Sequence, residues 1–168
     1  YIFLFLLLVA CETGVKEEEK PNELKKEINE RFLFKKQWSA NVFKNPPLGK
    51  IKISFDEENI YVFDSRGEIK SYSYDGKKNW TIKLDSDIST GINLAFGKLL
   101  LSSSNGDIFC LSKAGNTIWK YSSSGEVLAP PSTNGDIVAV QTIDGRVTAL
   151  DLENGEFRWD YRSVIPNL

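Results

Sequence analysis

The chain has 168 residues, 41% of them hydrophobic, 12% aromatic and 26% charged, enough apolar material to bury a core and too much for a disordered chain. A formal charge of −2 with a pI near 5.3 offers no concentrated basic surface, which argues against nucleic acid as a partner. Histidine is absent and cysteine occurs twice, so the common zinc sites and every histidine-based triad are excluded from this stretch.

Tyr1 to Ala10 is an unbroken apolar run of ten residues with no methionine or basic residue before it. That length suits the hydrophobic region of a secretory signal, whose start is expected upstream; a spanning helix needs about 20 apolar residues. The run ends Leu8-Val9-Ala10-Cys11, which resembles the bacterial lipobox. The resemblance implies a diacylglycerol thioether on Cys11 and cleavage on its amino side. Acyl chains there would contribute ~0.8 kcal/mol per buried methylene. In the lipoprotein sorting pattern an aspartate after the cysteine retains the protein at the inner membrane. Glu12 stands here, which implies delivery to the outer membrane. An acylated Cys11 leaves Cys110 without a partner, and the alternating segment around Cys110 makes it a small buried apolar residue.

Residues 11–33 are expected to form the lipidated cysteine and a charged tether. Twelve of the twenty residues from Glu12 to Arg31 are charged, too many for the segment to fold alone. Leu24, Ile28 and Phe32 at a spacing of four permit a short helix within it. Lys35-Lys36-Gln37-Trp38-Ser39 then resembles Lys77-Lys78-Asn79-Trp80-Thr81 and is expected as a closing strand over 34–43.

From Ile51 the sequence repeats. Gly67, Gly106 and Gly145 are each 39 residues apart; Gly76, Gly115 and Gly155, and Trp80, Trp119 and Trp159, follow at 39 and then 40. One extra residue in the turn Glu153-Asn154-Gly155 accounts for both forties. Within each repeat, alternating apolar runs are broken by turns such as Asn105-Gly106, Asn134-Gly135 and Asp144-Gly145. These turns favour tight hairpins, since both central residues reach positive φ cheaply. Four hairpin-connected strands repeating near 40 residues predict an all-β fold of β-propeller blades over about 50–86, 88–123 and 126–163. Three blades do not close a ring, so 34–168 is expected to be part of a larger propeller whose end sheets are exposed in this piece.

The third repeat reads Ala149-x-Asp151-x-x-x-Gly155-x-x-x-Trp159 and resembles the tryptophan-docking motif of quinoprotein-type propellers. The resemblance implies structural roles: Asp151 bonds backbone at the turn, Gly155 makes the turn, and Trp159 packs between blades, as do Trp80 and Trp119. Ser71-Tyr72-Ser73 and Cys110-Leu111-Ser112 replace Ala-x-Asp in the first two repeats. Quinone-dependent dehydrogenases share this repeat, but no vicinal cysteine pair occurs and the acids lie at turns. No catalytic residue, cofactor or metal is expected in these blades.

Lipobox, tether, Trp38-Ser39 and blades of this period together resemble the BamB family, lipoprotein subunits of the outer-membrane β-barrel assembly machine. The likeness is sharpest from Leu128 to Trp159. The family continues into a Pro-x-Leu-x-Leu-Arg-Gly loop that contacts the barrel-insertion subunit BamA, and Pro166 and Leu168 match its first fixed positions. The resemblance implies a non-catalytic scaffold, lipid-anchored at Cys11 on the periplasmic face of the outer membrane. Its partners would be BamA, through the periplasmic domains of that subunit and Leu168 here, and unfolded outer-membrane proteins. The alternative is a quinoprotein-like dehydrogenase or ligand-binding propeller whose active residues lie in blades beyond this stretch.

Overall fold

The computed structural model describes residues 35–44 and 51–162; the signal, the tether with its short helix, Cys11 and Leu168 lie outside the described residues. Twelve strands form three four-stranded sheets. The first holds β1 (Ile51–Phe55), β2 (Asn59–Asp64), β3 (Glu68–Ser73) and β4 (Lys78–Lys83). The second holds β5 (Asn93–Ala95), β6 (Lys98–Ser102), β7 (Asp107–Ser112) and β8 (Thr117–Ser122). The third holds β9 (Ser132–Thr133), β10 (Ile137–Gln141), β11 (Arg146–Asp151) and β12 (Phe157–Arg162). Every sheet is a meander in chain order with antiparallel neighbours. These are consecutive β-propeller blades. Among the described residues no helix is long and apolar enough to cross a membrane.

The first strand of a blade is shorter than alternation predicts in the second and third blades. Pro130 and Pro131 lack the N–H a ladder needs, so β9 keeps two residues. Pairing persists only as single bridges, Ile88 to Ser103 and Val127 to Thr142. Residues 35–43, expected within the closing strand, pair with no strand among the described residues. A strand exists only beside a ladder partner, and the described strands next to this segment meet it through side chains without pairing with its backbone.

The core lies between sheets. Tyr61, Phe63 and Ile69 of the first blade interlock with Leu99, Leu101, Phe109 and Leu111 of the second. Leu100, Ile108, Cys110 and Trp119 of the second interlock with Val138, Val140 and Leu150 of the third. The second blade therefore buries one set of alternating side chains against the first and the other against the third. Phe43 packs on Val62 and Tyr72 on the remaining side of the first sheet.

Candidate functional site

The tryptophans form a ladder that ties each blade to the next. Trp80 Nε1 donates to the Lys113 carbonyl at 2.9 Å, and Trp119 Nε1 donates to the Leu152 carbonyl at 2.9 Å. Each indole lies flat over the turn glycine of the following blade, Trp80 over Gly115 and Trp119 over Gly155. Trp38 repeats the arrangement one step earlier: it covers Gly76 and donates to the Tyr74 carbonyl at 2.7 Å. A glycine is required below each ring because a Cβ on Gly155 would sit 2.6 Å from Trp119.

Each tryptophan on a fourth strand is aimed by a bulge. The pairing register slips after Ser71, after Cys110 and after Ala149, opposite Trp80, Trp119 and Trp159 respectively. One extra outer-strand residue twists the strand and turns the indole toward its neighbour. Ser71, Cys110 and Ala149 are all fully buried at this point. They are equivalent positions beside the tryptophan, so the alanine of the third-blade motif answers to a demand for a small side chain. Cys110 is one of that set, and burial pushes its thiol up to about 11, away from reactive thiolate.

The carboxylates at the blade ends are engaged in turns and ion pairs. Asp151 Oδ1 accepts from the Glu153 and Asn154 N–H groups at 2.8 and 3.1 Å, and its other oxygen pairs with Arg158. Arg158, with those two N–H groups, holds the Asp151 carboxyl below its ordinary range. For Asp56, burial opposes ionisation, but Lys113 at 2.8 Å and the Glu58 and Asn59 N–H groups outweigh it and bring the pKa down to about 2. Burial likewise opposes ionisation of Asp107, and Lys120, Ser122 and Ser86 prevail and lower its pKa. Burial and the adjacent Asp56 charge raise Tyr61 to about 12.

Beyond the turns, where sequence reasoning expects no cluster of Asp, Glu, Asn and Arg, Arg146 of β11 pairs with Asp160 of β12, and Arg162 of β12 lies 3.8 Å from the turn residue Asp144. Among the described residues no group of three or more His, Cys, Asp or Glu side chains is placed to hold a metal ion.

Two cavities lie near the innermost strands. One, of about 440 Å³, is polar and bordered by Lys52, Asp87, Thr90, Ser104 and Glu126. The other, of about 450 Å³, is almost wholly apolar, with Trp38, Val42, Ile53, Phe55 and Val62 on its walls. Ile53 is 64% exposed there, whereas its counterpart one repeat later, Ile92, is 8% exposed beneath the preceding sheet. Phe157, Trp159 and Tyr161 form a matching exposed aromatic row on β12. Trp159, unlike Trp80 and Trp119, has no blade to dock on among the described residues. Sequence reasoning aligned Ser71, Cys110 and Ala149 but missed the apolar cleft and the small, buried position those three share beside the tryptophan. A shared 39-residue offset was the signal for the alignment.

Residues 65–168 match the family model described as outer membrane protein assembly factor BamB. Among solved structures, BamB from Moraxella catarrhalis aligns over 67% of this chain and 35% of its own, with a TM-score of 0.61 and 22% identity. The chain thus spans about a third of that protein. The computationally designed Ika4 protein aligns over 77% of this chain and 80% of its own, with a TM-score of 0.65 and 13% identity. A europium-containing methanol dehydrogenase aligns over 70% of this chain and 26% of its own, with a TM-score of 0.59 and 19% identity. These likenesses are of fold. No curated protein matches the chain.

Proposed function

The chain belongs to the family of the outer membrane protein assembly factor BamB, and we propose that it serves as a non-catalytic scaffold lipoprotein of the β-barrel assembly machinery. The observation that carries the reading is the family match across most of the blades, from residue 65 to residue 168. The blades support it chemically, since Asp56, Asp107 and Asp151 are tied to Lys113, Lys120 and Arg158. Stacked sheets joined by docked indoles make a stiff platform, and stiffness is what a docking subunit contributes to an assembly. In this reading Cys11 carries the lipid that holds the protein on the periplasmic face of the outer membrane. The segment beginning at Pro166 and Leu168 docks on the periplasmic domains of BamA, and unfolded outer-membrane proteins are the second partner. The ring has eight blades and residues 34–43 complete the last one, a role supported by the seat of Trp38 on Gly76.

The test is capture of full-length protein by the isolated periplasmic domains of BamA. Retention is expected for the unaltered protein and should fall on Leu168→Asp, while Cys11→Ser should shift the protein out of the membrane fraction. Alcohol-dependent dye reduction by full-length protein supplied with quinone and a metal, together with no capture by BamA, would overturn the scaffold reading.

A further inference from the structure

Two neighbouring grooves between blades are finished differently. At the junction of the second and third blades, the β5–β6 turn carries Phe96 across to the β9–β10 turn. Three of its ring atoms lie within 3.3 Å of where a Cβ on Gly135 would sit. To make that crossing Phe96 holds a φ of 49°, a left-handed conformation that bulky residues seldom adopt. One repeat earlier, Glu57 stands at the position of Phe96, and Phe96 itself stands at the position of Gly135. The β1–β2 turn, Asp56-Glu57-Glu58, carries no aromatic residue to cross to the β5–β6 turn.

What remains there is a groove of about 580 Å³ between the β1–β2 and β5–β6 turns. Phe55, Tyr74 and Phe96 line it and are 70%, 46% and 63% exposed. Lys113 lines it too, but its ammonium is committed to Asp56 at 2.8 Å. Glu57 and Glu58, both exposed and in no ion pair among the described residues, are left as the unbalanced charges of the rim. The Tyr74 hydroxyl already donates to the Asp56 carbonyl, so the groove offers rings and carboxylates and little free hydrogen bonding for a sugar.

We propose that this groove docks a polypeptide segment of another protein that presents an aromatic ring beside a lysine or arginine. The ring enters where Phe96 enters the next junction and meets Phe55, Tyr74 and Phe96 in the tilted or offset contacts that aromatic groups prefer. The neighbouring cation meets Glu57 and Glu58, which select for it by charge.

The test titrates full-length protein with dye-labelled synthetic peptides centred on Lys-Trp-Lys, Glu-Trp-Glu and Lys-Ala-Lys, read by fluorescence anisotropy. Only the first is expected to bind, and the double change Glu57→Lys, Glu58→Lys should weaken it about tenfold at low salt. Phe55→Ala should weaken it about fivefold with the thermal midpoint unchanged, because Phe55 is 70% exposed. Equal binding of Glu-Trp-Glu, or binding unaffected by both the charge reversal and Phe55→Ala, would overturn the proposal. So would a concentration-dependent dimer that Phe55→Ala abolishes, since it would assign the groove to a second copy of the chain. Absence of any peptide binding also overturns it and leaves the BamA reading standing, because capture by BamA is a separate measurement.

Discussion

Replacing Gly155 by alanine separates the two demands that the ladder makes on its glycines. Gly155 and Gly97 both adopt left-handed backbone, with φ of 74° and 71°. They differ in what stands beside them: nothing lies within 4 Å of a Cβ on Gly97, while on Gly155 it would meet three atoms of the Trp119 ring at 2.6–2.8 Å. Gly97→Ala therefore carries backbone strain alone, about 1 kcal/mol. Gly155→Ala adds overpacking of about 1–3 kcal/mol and, if the indole is displaced from the Leu152 carbonyl, about 1 kcal/mol for that hydrogen bond. The expected totals are about 1 and about 3–5 kcal/mol, read as urea midpoints at constant slope by tryptophan fluorescence. In a Trp119→Ala background the same methyl should cost about 1 kcal/mol, leaving a coupling of about 2–4 kcal/mol between the two sites. The reasoning is refuted if Gly155→Ala is no worse than Gly97→Ala, or if its cost does not depend on Trp119.

Cys110→Ala should change stability by less than about 1.5 kcal/mol, whereas Cys110→Leu should cost about 1–3 kcal/mol, because the position beside Trp119 accepts only a small group. Thermal midpoints decide this, and an equally stable leucine variant would contradict it. The same thiol should resist alkylation at about pH 8 in the folded protein and react once denatured, as followed by mass spectrometry. Rapid native labelling would show that its burial is misread. The carboxyl of Asp56 is held near 2 in the folded chain against an ordinary value of 3.8, so its stabilising contribution is complete above about pH 5 and is lost as pH falls toward 2. Asp107 is depressed in the same direction and adds to the slope. Asp56→Asn should flatten the fall of thermal midpoint on acidification, and an unchanged acid slope would refute the assignment.

Much of the blade architecture was legible because its causes are local. Gly145 and Gly155 make their turns through left-handed backbone at the glycine alone, Asp144 and Asn154 not sharing the positive φ expected of both, and the alternation of Asp107–Ser112 assigns two faces to one strand without reference to the rest of the chain. The repeat of tryptophan and glycine was likewise visible as spacing. The shortness of β9 was foreseeable from Pro130 and Pro131, since a missing N–H is a property of the residue itself.

The candidate site was less legible. A carbonyl that accepts from an indole belongs to every residue, so nothing in the sequence singles out Tyr74, Lys113 and Leu152 as acceptors. Ser71, Cys110 and Ala149 align by their 39-residue offset, but that the position beside the indole is fully buried and takes a small side chain shows only in the strand register and packing.

The sequence by itself determined the strands, the turns and their period, because propensity and alternation act between neighbours along the chain. Only the tertiary structure decided which glycine lies under which indole, that Phe96 crosses one junction while Glu57 leaves the other open, and which acids meet a cation. The contacts between blades, such as Trp80 with Lys113 and Asp56 with Lys113, join residues some 30 to 60 positions apart, and their free energy comes from shape and charge brought together by stacking one blade on the next.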